Sequence, residues 1–271
     1  MREISINPIS TSSIVYRNPK FFSKNAQGQI VAGQTGIPVY IGSADLPEEL
    51  DALIITSDLQ GTIDVEGSLE LMGLHMPGIL EELIAAMMPG IALSGTGVLL
   101  CGDLYAHKKK RGGYGDVSAV WRGFNERFAW VAGVQGNHDL FGSNLNKAAF
   151  VKETGIHLLD ATVKNIAGLT IGGVGLVIGN TSKPNRLSSQ EYLANLSAVL
   201  RQQPDILILH AAPHLDDAAI GDSQITEMLN AYAHDLLVFC GHEKWESLHR
   251  QVNEQVHVVN VDERVLLLVK H

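Results

Sequence analysis

The chain of 271 residues has little cysteine, no excess of basic residues and no long apolar run. Its two cysteines, Cys101 and Cys240, both lie among apolar residues, where a free thiol behaves as a small hydrophobic side chain. A disulfide framework is therefore not expected. No run of about 18 apolar residues could span a bilayer, and the N-terminus lacks the apolar stretch of a signal peptide. These absences predict a cytoplasmic protein with no membrane segment.

The charge balance is acidic, with 29 Asp and Glu against 20 Lys and Arg, which gives a net charge of −9. Proteins that grip nucleic acid along its backbone present a basic face, so nucleic acid is not an expected partner and a nuclease is the least favoured activity. A small phosphate ester is compatible with this charge. The oligomeric state is left open by the composition.

The chain is expected to fold as one large unit with an N-terminal extension. Its residues are 45% hydrophobic, enough to bury a substantial core, and no Pro-, Ser- or Gly-rich linker divides it. Residues 1–50 contain short extended pieces with turn residues between them. We interpret them as a β-rich extension packed on a main domain of residues 51–271.

Five apolar runs rich in Val, Ile and Leu follow, as is typical of strands covered on both faces. The runs stop at Asp58, Asp103, Asp139, His210 and His242. Helical patterns occur at 78–88, 116–128, 188–202 and 223–233, and further β-like stretches at 155–178 and 255–269. The sequence thus predicts an α/β (or α+β) fold with two mixed β-sheets flanked by helices. The polar stops should meet at the carboxyl ends of the strands.

The polar residues at these stops are carboxylates, amides and imidazoles, a mixture that suits Mn, Fe, Zn or Ni better than a thiolate-preferring ion. Residues two apart in a strand point the same way, so Asp58 and Gln60 should face one site, as should His242 and Lys244 if that strand continues. The candidate metal ligands are Asp58, Gln60, Asp103, Asn137, His210 and His242.

The polar segments also resemble a known family. They are SDLQG at 57–61, CGD at 101–103, GNHD at 136–139, LHAAPH at 209–214 and CGHEKW at 240–245. Their content and order resemble the five motifs of the calcineurin-like metallophosphoesterase superfamily. The stretches KRGGYGDV at 110–117 and NVDERVLLL at 260–268 resemble a bacterial subgroup of it.

The resemblance implies the calcineurin-like metallophosphatase sandwich and a metal-dependent phosphoric ester hydrolase. Asp103 would bridge two metals, and Asp58 would hold one of them. Asn137, His210 and His242 would complete the shell of the other. A metal-activated water would attack the phosphorus of a phosphomonoester or small phosphodiester, with no covalent enzyme intermediate.

The resemblance also implies an acid for the leaving group. His138 would protonate the leaving oxygen, and the adjacent Asp139 carboxylate would hold its imidazole. Both residues are therefore candidate catalytic residues.

Two positions depart from the superfamily pattern, which has Asp-x-His in its first motif and Gly-His-x-His in its last. Gln60 stands where the first motif has its histidine, and Lys244 stands where the last motif has its second histidine. The protonated ammonium of a lysine cannot coordinate a metal. The number of metals, one or two, stays open. Lys244 could supply a positive charge near Asp58 and contact a substrate phosphate, or be a solvated lysine. An impaired site would make the protein a binding module instead of an enzyme.

A basic run from His107 to Arg111 begins four residues after Asp103 and should overhang the same crevice. It could attract an anionic substrate, with His107 and Arg111 as binding residues, or be an ordinary solvated loop.

Overall fold

The structure, a computed structural model, describes residues 21–24, 30–32, 37–108, 112–215 and 220–271. Five α-helices and twenty β-strands occur in these ranges. The strands are β1 (Phe21–Lys24), β2 (Ile30–Ala32), β3 (Val39–Ala44), β4 (Ala52–Ser57), β5 (Thr62–Val65), β6 (Ser68–Leu71), β7 (Thr96–Leu100), β8 (Gly115–Asp116), β9 (Trp130–Gly133), β10 (Asp139–Leu140), β11 (Ile156–Leu158), β12 (Thr162–Ile166), β13 (Leu169–Val174), β14 (Val177–Ile178), β15 (Arg186–Leu187), β16 (Ile206–Leu209), β17 (Leu236–Cys240), β18 (His249–Gln251), β19 (Val256–Asn260) and β20 (Arg264–Lys270). The helices are α1 (Met72–Met87), α2 (Ser118–Asn125), α3 (Asn144–Phe150), α4 (Ser189–Leu200) and α5 (Ser223–Asn230), with a 3-10 turn at Leu93–Gly95.

Two six-stranded sheets form the centre of the fold. The first has the strand order β11-β9-β7-β4-β20-β3 and the second β12-β13-β16-β17-β19-β18. Both are mixed, because β20 runs antiparallel to β4 in the first sheet, while β12 and β18 run antiparallel to their neighbours in the second. The predicted pair of mixed sheets flanked by helices is confirmed.

The core lies in three layers. Between the sheets, Leu53 and Ile55 of β4 pack with Ile208 of β16 and Phe239 of β17. The outer face of the first sheet is covered by α1 and α2, and that of the second by α4 and α5. Strands such as β4 are therefore buried on both faces, which explains why their sequences are continuously apolar.

Helix α4 begins close to its predicted start, whereas helix α1 begins earlier than predicted. Ser188 caps α4 in a capping box with Glu191. Helix α1, in contrast, begins at Met72 and not near residue 78, so Pro77 lies inside the helix. Burial of Met72 and Met76 against the first sheet outweighs the backbone hydrogen bond that the proline cannot make. Helix α3, capped by Ser143, was not predicted.

The region assigned to the N-terminal extension contributes to two sheets. Strand β3 pairs with β20 at the edge of the first six-stranded sheet. Strands β1 and β2 join β5 and β6 in a four-stranded sheet. Residues 1–20, 25–29 and 33–36 lie outside the described residues, and the domain boundary at residue 50 stays a prediction. No helix in the described ranges is long and apolar enough to cross a membrane.

Candidate metal centre

The candidate ligands follow neighbouring strands of the two sheets. In the first sheet, Asp58 follows β4, Asp103 follows β7 and Asn137 follows β9. In the second, His210 follows β16 and His242 follows β17. The parallel strands within each sheet end on the same side, so the five residues converge at one end of the sandwich.

The backbone turns sharply at three of these residues. Asp58, Asp103 and His242 have φ angles of 56°, 54° and 68°, in the left-handed region that residues with a Cβ atom rarely adopt. Such conformations cost on the order of 1 kcal/mol or more each and persist where the surrounding structure imposes them. The surrounding fold therefore imposes the same sharp turn at three of the candidate ligands.

Glycines beside the ligands allow this close approach. Gly102 has a φ of 94°, and a Cβ atom there would lie 2.7 Å from the Gly136 backbone and 2.8 Å from His210 Nδ1. A Cβ atom on Gly136 would overlap the backbone nitrogen and a carboxylate oxygen of Asp103. The glycines of the CGD and GNHD segments are therefore required by packing around Asp103.

We expect Gly136→Ala to displace Asp103, lowering both the free energy of unfolding and the metal content. Overpacking of this kind typically costs about 1–3 kcal/mol. Gly90→Ala is the matched control, because nothing lies within 4 Å of a Cβ atom there. Urea denaturation and elemental analysis check the prediction. Equal unfolding midpoints and equal metal content in the two variants would contradict it.

His210 is fully buried, and its ring is oriented by the backbone. Its Nδ1 atom donates to the Cys101 carbonyl at 2.8 Å, which leaves Nε2 directed at the site. Nε2 lies 3.0 Å from Asn137 Oδ1 and 3.4 Å from Asp103 Oδ1. Burial lowers the pKa of His210, but the Asp103 carboxylate outweighs it, and the pKa rises to about 10. His210 Nε2 therefore faces two oxygens, one from an amide and one from a carboxylate.

A metal ion fits this cluster. One ligand atom each from Asp103, His210 and His242 lies within 4.8 Å of the others. Bonds of about 2.0–2.2 Å hold ligand atoms at most about 4.4 Å apart, so these three atoms lie close to the spacing that one metal needs. Asn137 is 1% exposed, and its Nδ2 atom has no hydrogen-bond partner in the described part of the chain, while its Oδ1 faces the cluster. Asn137 is therefore placed to supply a fourth ligand.

His242 is neutral in this environment. Burial and the neighbouring His210 lower its pKa to about 4, and the two rings lie 5.0 Å apart. A neutral imidazole is the form that binds a metal.

Asp58 lies outside this cluster, and its Oδ2 atom already accepts two hydrogen bonds. Its Oδ2 atom accepts from Ser57 Oγ at 2.6 Å and from the backbone nitrogen of His242 at 2.8 Å. Burial, with the nearby Asp262 carboxylate, raises the pKa of Asp58 well above its ordinary value. Asp58 thus supports the turn that carries His242.

Gln60 and Lys244 both make other contacts in the structure. Gln60 Nε2 donates to Asp103 Oδ2 at 2.8 Å, and Lys244 Nζ forms an ion pair with Glu263 at 2.6 Å. The strand alternation expected to orient Gln60 and Lys244 does not reach them, because β4 ends at Ser57 and β17 ends at Cys240. The left-handed residues that follow break the two-residue period. Among the described contacts of Lys244, none joins it to Asp58.

Comparison with known proteins bears directly on this centre. Residues 52–245 match the calcineurin-like phosphoesterase family. The chain belongs to this family. Its members are metal-dependent phosphoester hydrolases, and the resemblance of the five polar segments is confirmed.

One solved structure that matches is Thermus thermophilus sulfate thiohydrolase SoxB in complex with glycerol, with a TM-score of 0.45 and 11% sequence identity. The match covers 80% of this chain and 53% of the SoxB chain, so the chain spans about half the length of that protein. No curated protein matches the sequence.

In this member of the family the ring of His138 is held by a backbone carbonyl. Its Nδ1 atom donates to Gly113 O at 2.7 Å, and its ring stacks on Tyr114 at 5.7 Å. Its backbone nitrogen donates to Asp103 Oδ1 at 2.8 Å, which places it beside the metal ligands. Nε2 is therefore the ring atom available for proton transfer.

Asp139 does not hold the imidazole of His138, contrary to expectation. Its carboxylate is fully buried and accepts from the backbone nitrogens of Leu104, Tyr105 and Gly136. Burial and the nearby Asp103 raise its pKa to about 6. These three hydrogen bonds tie the segment after Asp103 to the GNHD segment, so Asp139 acts on the shape of the site.

The predicted substrate-binding residues of the basic run are only partly described. His107 lies against Gly113, where a Cβ atom would come within 3.2 Å of the His107 side chain. This places His107 near the segment that holds His138. Arg111 lies outside the described residues. The substrate roles of His107, Arg111 and Lys244 stay predictions.

Sequence analysis missed a second loop at the site, residues 179–185 between β14 and β15. Asn185 Nδ2 donates to the Asn137 carbonyl at 3.3 Å and to the Asp139 carbonyl at 2.8 Å. Gln135 Nε2 in turn donates to Asn185 Oδ1 at 3.2 Å. The loop carries no recognisable motif, so only the folded chain brings it to the GNHD segment.

Proposed function

We propose that the protein hydrolyses a phosphomonoester or a small phosphodiester, with one transition metal held by Asp103, Asn137, His210 and His242. The observation that carries this proposal is the convergence of three ligand side chains within 4.8 Å, beside an asparagine oxygen directed at the same point. Their mixed oxygen and nitrogen donors suit Mn, Fe, Zn or Ni.

The metal, when bound, supplies an activated water and neutralises charge on the phosphoryl oxygens. The chain supplies the remaining functions. The Cys101 carbonyl fixes the ring of His210, and the backbone of His138 fixes the carboxylate of Asp103. As an imidazolium, His138 would deliver its Nε2 proton to the leaving oxygen and become a neutral ring that keeps its Nδ1 hydrogen on the Gly113 carbonyl.

The contacts of Asp103, Asp58 and Lys244 favour one metal over two. The Asp103 Oδ2 atom, which a second metal would need, accepts a hydrogen bond from the Gln60 amide. Asp58, which would hold that second metal, uses Oδ2 to bind Ser57 and the His242 backbone. Lys244 pairs with Glu263 and supplies no metal ligand.

The test of function is elemental analysis of protein purified without added metal, run beside hydrolysis of 4-nitrophenyl phosphate and bis(4-nitrophenyl) phosphate with Mn restored. About one metal per chain with turnover of either ester supports the proposal. Protein with neither metal nor turnover would instead be a binding module built on this fold, a reading that the contacts of Gln60 and Lys244 motivate.

The metal count has its own test in the double variant Gln60→His, Lys244→His. Restoring imidazoles at both positions should allow a second metal beside Asp58, raising the content from about one to about two per chain. Lys244→Gln alone is the control, because it breaks the ion pair with Glu263 and adds no ligand. A wild-type protein that already holds two metals would refute the one-metal proposal.

A further inference from the structure

Arg186, near the metal centre, has no anionic partner among the residues that the structure describes. Its one hydrogen bond in the described part of the chain joins Nη1 to the Pro184 carbonyl at 3.3 Å. Lys244 and Lys147, in contrast, form ion pairs with Glu263 and Asp160. Most guanidinium donors of Arg186 are therefore available to a ligand.

The fold fixes where Arg186 lies. It begins β15, which pairs in parallel with β14, so Arg186 lies opposite Val177. Its side chain runs over Gly179, where a Cβ atom would come within 3.1 Å of the Arg186 Cδ atom. Arg186 is half-buried, whereas Lys183 in the same loop is exposed.

Asn185, the residue before Arg186, is hydrogen-bonded to the backbone of the GNHD segment, which contains the candidate ligand Asn137. Asn185 has a left-handed φ of 57° and bonds to the carbonyls of Asn137 and Asp139, as described above. Arg186 therefore follows Asn185 directly, and the Asn185 side chain contacts the backbone of the candidate ligand Asn137.

We propose that Arg186 binds the phosphoryl group of the substrate and makes the site prefer phosphomonoesters to phosphodiesters. This inference rests on the proposed function. A planar guanidinium binds two phosphate oxygens at once. A monoester offers three terminal oxygens and a charge of about −1.5 to −2 at pH 7, whereas a diester offers two oxygens and a single charge. The cation should therefore discriminate in favour of the monoester.

The test compares Arg186→Gln and Arg186→Lys with the control Lys183→Gln, all loaded with the same metal. Isothermal titration should show inorganic phosphate binding at least about tenfold weaker to Arg186→Gln, since a charged hydrogen bond is lost. Arg186→Lys should fall between that variant and wild type, because it keeps the charge and loses the two-point contact. Lys183→Gln should match wild type.

The ester comparison then decides the specificity. We expect kcat/KM of Arg186→Gln to fall about tenfold or more for 4-nitrophenyl phosphate and less than about threefold for the bis-ester. Equal losses on both esters, or unchanged phosphate binding in both Arg186 variants, would overturn the inference and leave the proposed function standing. A wild type that hydrolyses neither ester would overturn the proposed function and with it the specificity, while phosphate titration still reports on Arg186 as an anion-binding residue.

Discussion

Asp103→Asn is expected to lose the metal and at least about 10³-fold in kcat/KM. The wild-type carboxylate faces His210 Nε2 and accepts hydrogen bonds from His138 and Gln60. Although burial raises the pKa of Asp103, His210 and His138 hold it below its ordinary value, so the side chain is an anion. Asparagine has the same shape but no charge to offset that of a metal.

Elemental analysis and steady-state kinetics check this prediction together. Asp160→Asn is the control, because its side chain is 76% exposed and pairs only loosely with Lys147 at 3.8 Å. We expect Asp160→Asn to keep the wild-type metal content and turnover. If Asp103→Asn retained a full equivalent of metal, Asp103 would not be a metal ligand, and the proposed one-metal site would be wrong.

The sheets could be predicted because their central strands are covered on both faces. Strands β4, β7, β16 and β17 are buried along their whole length, so each is a continuous apolar run with an abrupt polar end. The pairing of β3 with β20 could not be predicted, since it joins residues about two hundred positions apart and no local pattern encodes that register.

The candidate ligands could be predicted as a group, but their contacts could not. Each ends an apolar run, and strand ends of one sheet meet at one edge. The directions taken by Gln60 and Lys244 depend on left-handed turns at Asp58 and His242, and strand alternation does not extend through such turns. These two turns decide whether the second metal position keeps its ligands.

Asp139 and Arg186 show two further limits of sequence reasoning. The family resemblance implied that Asp139 holds the imidazole of the adjacent His138, but the hydrogen bonds of Asp139 go to three backbone nitrogens instead. Adjacent residues in an extended segment point in opposite directions, so neighbours in sequence need not touch. Arg186 lies in a loop of ordinary composition, and only the hydrogen bonds of Asn185 reveal where that loop lies.

His138→Gln should separate proton transfer from metal binding. For an alkyl phosphate, whose leaving alkoxide needs a proton, we expect kcat to fall about 10²–10⁴-fold. For 4-nitrophenyl phosphate the loss should be much smaller, because nitrophenolate leaves without protonation. The metal content should not change, since His138 contacts Asp103 through its backbone nitrogen, and a glutamine keeps that contact.

The measurement is the dependence of log kcat on the pKa of the leaving group across a series of aryl and alkyl monoesters. The dependence should be shallow in wild type and steep in His138→Gln, because only wild type protonates the leaving oxygen. His75→Gln serves as the control, since His75 pairs with Glu70 away from the ligands and should leave the slope unchanged. Parallel slopes in wild type and His138→Gln would show that the proton comes from another group, and the contact between His138 and Gly113 would then serve only to hold the segment beside it.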